Sequence, residues 1–84
     1  MKHATESALD KLEDLLTKIR KFDVLKEKQR GIFYLKSMAF LHFHEDPAGL
    51  FADIKFGNEF KRFPVNTTNE KNALLSEIKN AIGL

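Results

Sequence analysis

His42 and His44 stand two residues apart in the run Phe40-Leu41-His42-Phe43-His44-Glu45-Asp46. On a β-strand, residues at i and i+2 point to the same side. Two imidazoles so placed are a donor set that a strand can offer to Zn²⁺ or a similar ion, with Asp46 or Asp53 as a third ligand. The same residue types suit an acid-base pair in which Asp53 orients His42, but the neighbouring sequence supplies no nucleophile for such a pair to serve. A plainer reading is electrostatic. His42, Asp53 and Arg62 then form a surface row of alternating charge, contributing about 0–1 kcal/mol per exposed pair.

All three readings depend on strand register, because a slip of one residue moves every side chain to the opposite face. Residues 40–56 read as a β-hairpin: two runs rich in aromatic and branched residues flank Asp46-Pro47-Ala48-Gly49, where Pro and Gly have the conformations that turns need. That turn sets Glu45 opposite Leu50, His44 opposite Phe51, Phe43 opposite Ala52, His42 opposite Asp53, Leu41 opposite Ile54 and Phe40 opposite Lys55. Gly57-Asn58 is a good two-residue turn into a further strand, residues 59–65, which places Phe60 opposite Lys55, Arg62 opposite Asp53 and Pro64 opposite Phe51. Pro64 has no amide to donate, so this strand lies at an edge of the sheet or ends there.

One face of this hairpin carries Leu41, Phe43, Leu50, Ala52, Ile54 and Phe56 and is read as the core face. The other carries Phe40, His42, His44, Phe51, Asp53 and Lys55, joined by Phe60 and Arg62. Exposed aromatics in a group mark an interaction site. The leading expectation is packing against a second copy or a partner protein. Base stacking next to Lys36, Lys55 and Arg62 is an alternative, as is cover by the amino-terminal helix or its extension. Phe33 joins this set if Lys36-Ser37 is a turn.

The elements around the hairpin follow from periodicity. Ala8, Leu12, Leu15, Leu16, Ile19 and Phe22 recur at helical spacing and predict an amphipathic helix over 7–22, capped by Ser7 or Thr5. Lys26-Glu27-Lys28-Gln29-Arg30 is polar, and Gly31 ends whatever helix remains. Ile32 to Leu35 is a first β run, joined to the next through Lys36-Ser37 or continuous with it as one bent or bulged strand. Thr67 with Glu70 is a capping box for a final helix whose stripe is Leu74, Leu75, Ile78, Ala81 and Ile82, closed by Gly83. The fold class is therefore α+β: one domain over 1–84, a two-layer sandwich of helix, three- or four-stranded antiparallel sheet and helix, with both helices on one sheet face.

This order of elements resembles that of double-stranded-RNA-binding domains, whose last helix begins with a lysine cluster. Here that helix begins Thr67-Thr68-Asn69-Glu70-Lys71-Asn72, so the resemblance is one of architecture. A formal charge of +2, with signs interspersed, does not point to nucleic acid either. The absence of cysteine excludes thiolate ligands, thiol nucleophiles and disulfides and suits a reducing cytoplasm. No apolar run approaches the roughly 20 residues of a membrane span. A chain of 84 residues buries about 60–65% of its unfolded surface and leaves no room for a cleft between domains. The sequence thus reads as a non-enzymatic cytoplasmic domain that self-associates or binds a protein through its open sheet face. Zinc binding through His42 and His44 is the first alternative, and weak nucleic-acid binding the second.

Overall fold

Two tight turns organise the centre of the molecule. In the computed structural model, which describes residues 2–83, strands β4 (Met38–Asp46) and β5 (Gly49–Phe56) pair from Leu41 with Ile54 through to Asp46 with Gly49. The connecting loop is therefore shorter than the four residues expected, and the Asp46 carboxylate accepts a hydrogen bond from the Ala48 amide across it (3.0 Å). Strand β6 (Glu59–Pro64) pairs with β5 in the expected register, Asp53 with Arg62 and Lys55 with Phe60.

The sheet is larger than expected. Lys36 and Ser37 both have positive φ (52° and 71°), as a two-residue hairpin turn of the primed type demands, so β3 (Ile32–Leu35) is a separate strand beside β4. The polar stretch after Phe22 is also a strand, β2 (Leu25–Gln29), paired with β3. Its one buried residue, Leu25, is too little for a period-2 pattern to register. A two-residue strand, β1 (Lys2–His3), pairs with the far end of β4, His3 opposite His44. The expected three or four strands are thus corrected to six, all pairings antiparallel, in the order β2-β3-β4-β5-β6 with β1 on β4.

The first helical stretch divides at Leu12 (φ −104°, ψ 6°) into α1 (Glu6–Lys11) and α2 (Glu13–Ile19). Thr5, not Ser7, is the N-cap, its hydroxyl accepting from the Ala8 amide. Helix α3 (Thr68–Ile82) has the expected capping box of Thr67 and Glu70 and a left-handed Gly83 at its end. Three helices and a six-stranded antiparallel open sheet make a mixed α+β fold, in place of the two-helix layout expected. Leu12, Leu15, Leu16 and Ile19 share one core cluster with Phe33, Leu41, Phe43 and Ile54 of the sheet and Leu74 and Ile78 of α3.

Phe40 is the main correction to the sheet faces. β3 pairs Phe33 with Leu41 and Tyr34 with Ala39, so Phe40 is the extra residue of a β-bulge and the ladder to β5 begins only after it. A bulge breaks the alternation of side chains. Phe40 and Leu41 are consequently both buried, at 3% and 0% exposure, and Phe40 belongs to the core instead of pairing with Lys55 on the open face. Phe33 is a core residue as well.

Candidate metal centre

The row His42, Asp53, Arg62 is present in the register expected. Arg62 donates to Asp53 through Nε to Oδ1 (2.8 Å) and Nη2 to Oδ2 (2.9 Å), the planar two-point grip for which a guanidinium suits a carboxylate. Asp53 is the one buried charged residue among the described residues. Burial pushes its carboxyl up, but the Arg62 hydrogen bonds and charge, with the two imidazoles, outweigh this and hold it below the usual carboxylate range.

On the other side the close contact runs to His44, not to His42. His44 Nε2 lies 3.0 Å from Asp53 Oδ2, and the same nitrogen lies 2.9 Å from His42 Nδ1. The rings of His42 and His44 meet edge to face, with centroids 4.8 Å apart. Strand β1 adds a third imidazole from outside the hairpin. His3 stacks on His44 at 5.1 Å and lies 5.9 Å from His42, and one ring nitrogen from each of the three histidines falls within 4.8 Å of the others. The sequence carries no pattern for so short a strand. Its one mark is the third histidine itself, just before the Thr5 cap.

His42 Nδ1 and Asp53 Oδ2 both lie about 3 Å from His44 Nε2, so a proton on that nitrogen can be given to only one of them, while the buried Nδ1 of His44 has no hydrogen-bond partner. Burial, and then the charge of His44, lower the pKa of His42 and favour its neutral, metal-competent form. Nitrogens on one Zn²⁺ at 2.0–2.1 Å are about 3.3 Å apart in a tetrahedral shell; the His42 and His44 nitrogens, at 2.9 Å, are near this, and the full set, within 4.8 Å, draws in by up to about 1.5 Å to share an ion.

The remaining expected site residues are distributed differently. Asp46 is engaged in its own turn, and the cluster of converging donor atoms includes neither it nor Asp53, which stands beside the cluster through His44. Phe51, opposite His44, is half-buried. Phe60 is 43% exposed and its ring lies 4.8 Å from that of His42, forming one wall of the cluster. Lys55 is half-buried and Arg62 exposed. Of the three phenylalanines expected to make an apolar patch, only Phe60 is exposed, and β1 lies against β4 where open surface was expected. No helix among the described residues is long and apolar enough to cross a membrane. Comparison with known proteins finds no matching family model, curated protein or solved structure.

Proposed function

We propose that this domain binds a divalent transition-metal ion of the zinc class through His42 Nδ1, His44 Nε2 and a ring nitrogen of His3, with Asp53 as the carboxylate of the site. The observation that carries the proposal is the gathering of one ring nitrogen from each of His3, His42 and His44 within 4.8 Å of one another, with His42 Nδ1 2.9 Å from His44 Nε2 and Asp53 Oδ2 3.0 Å from that same nitrogen. A single cation takes a lone pair from all three rings at once, with the Asp53 carboxylate beside them. Nitrogen and oxygen donors without thiolate suit Zn²⁺ and its neighbours in the first transition series. Arg62, by its grip on Asp53, keeps the carboxylate ionised and fixes its direction, as a supporting shell does around a metal site. The role is binding, not catalysis, and the cysteine-free composition accords with a reducing compartment.

Isothermal titration with zinc chloride tests the proposal. The wild type takes up one ion per chain, His42→Ala and His44→Ala each lose at least tenfold in affinity, and His3→Ala loses less because its strand is short. Circular dichroism confirms that the variants are folded. Absence of binding heat at micromolar zinc sinks the proposal.

A further inference from the structure

A second feature lies apart from the histidines, where the carboxyl end of α3 meets the β3–β4 turn. A groove of about 760 Å³ opens there, with apolar walls made by Val24, Leu35, Ala81 and Ile82. A smaller hollow beside it is lined by Met38 and Ala39. Val24 and Met38, 54% and 56% exposed, are two of the three large hydrophobic residues most open to solvent among the described residues. Their neighbourhood makes them more than scattered surface residues, because both border a concave apolar surface.

The rim of the groove is basic. Lys26 and Lys28 on β2 and Lys36 in the turn line it, and Lys55 borders the adjoining hollow. Lys28 lies over the ring of Tyr34 with Nζ 4.7 Å from its centre, which directs its ammonium to the groove. Among the described residues none of these lysines has an ion-pair partner. Four acids, Glu6, Asp10, Glu13 and Glu27, are held by arginines away from the groove. Arg30 takes Glu6, Asp10 and Glu13, and Arg20 takes Glu13 and Glu27.

From this complementarity we infer that the groove is a docking site for an acidic peptide segment of a partner protein, with a bulky apolar residue seated between Val24, Leu35 and Ile82 and carboxylates facing Lys26, Lys28 and Lys36. Concavity favours a peptide over a bilayer, since a flat lipid surface leaves the floor of a groove unfilled. A second copy carries a formal charge of +2, so it complements this basic rim less well than an acidic segment does. Lysines around an apolar centre follow the usual plan of such interfaces, with charges at the rim for steering and selectivity and apolar anchors for affinity.

The test uses the full chain labelled with ¹⁵N and a short synthetic peptide in which a leucine–phenylalanine pair is flanked by glutamates. Saturable shifts are expected at Val24, Leu35, Met38 and Ala81, weakening as salt is raised. Lys26→Glu combined with Lys28→Glu, both at exposed positions, lowers the affinity at least tenfold with the remaining spectrum unchanged. His42→Ala leaves it as in the wild type, so the outcome is separate from that of zinc binding. The inference is overturned if the peptide causes no shifts in the groove or if a control peptide with lysines for glutamates binds equally well. It is overturned too if the same resonances move on concentrating the protein alone, or on adding phosphatidylserine vesicles while the peptide has no effect.

Discussion

Arg62 holds Asp53 by both carboxylate oxygens, at 2.8 and 2.9 Å, while the Asp53 oxygen nearer His44 remains 3.0 Å from that imidazole. The carboxylate therefore serves two masters across three strands, a fixed cation on one side and a titratable ring on the other. Asp53→Asn keeps the shape and removes the charge. Because the Asp53 anion acts to raise the pKa of His42, this change lowers that pKa further. Zinc affinity should fall about 10–100-fold, the usual cost of losing a supporting carboxylate. NMR titration of the His42 ring and calorimetry read the two effects, and a His42 pKa unmoved or raised by the change contradicts the electrostatic account.

The pH dependence has a definite sign. His42 has a folded pKa below its ordinary value, chiefly through burial, so protonation is harder in the folded state than in the unfolded one. Its contribution to stability is complete above about pH 6.5 and is lost as the pH falls from there through the lowered folded value. Zinc competes with the same proton, so apparent affinity is lower at about pH 5.5 than at about pH 7.5, the loss beginning below about pH 6.5. At a free zinc concentration of about one hundred times Kd, binding adds about 2.7 kcal/mol and raises Tm by on the order of 10–20 °C, and EDTA reverses this. Thermal melts with zinc and with EDTA at both pH values provide the check. A Tm unaffected by zinc at the higher pH removes the linkage.

The register of β4, β5 and β6 was legible because turn residues and alternating side chains agree there, and that agreement placed Asp53 between the histidine strand and Arg62. Other parts were not legible, for physical reasons. Strand β2 buries only Leu25, so Lys26-Glu27-Lys28-Gln29 shows no period. The break at Leu12 leaves the helical spacing of Leu12, Leu15, Leu16 and Ile19 undisturbed, and nothing in side-chain type marks it. Phe40 turns inward through a bulge, a backbone event invisible to a strict two-residue alternation. His3 reaches the site through a strand of two residues, below any pattern.

The bulge gives a direct contrast between two phenylalanines expected to share one face. Phe40 is 3% exposed within the core cluster, so Phe40→Ala leaves a cavity and costs about 3–5 kcal/mol. Phe60, 43% exposed on the edge strand β6, costs under about 1 kcal/mol on the same change. Urea unfolding of the two variants measures the difference. Equal costs contradict the inward placement of Phe40.

Two glycines with similar backbones separate conformational strain from steric overlap. Gly31 (φ +80°) forms the turn between β2 and β3, and Gly57 (φ +62°) the turn between β5 and β6. An L residue in this left-handed region costs roughly 1–2 kcal/mol, a penalty common to Gly31→Ala and Gly57→Ala. The surroundings differ. A Cβ on Gly57 meets nothing within 4 Å, whereas one on Gly31 falls 2.7 Å from the Cδ2 atom of Leu9, a side chain 4% exposed and packed into the core. Leu9 has to shift against close-packed neighbours to accept it, adding about 1–3 kcal/mol of overpacking. Gly31→Ala is therefore the more damaging change by at least about 1 kcal/mol, and Leu9→Ala in the same chain relieves part of the excess by vacating the space. Urea midpoints of the single and double variants give the coupling energy. An additive double variant, or a Gly57 change as costly as that at Gly31, shows that backbone strain alone governs both turns.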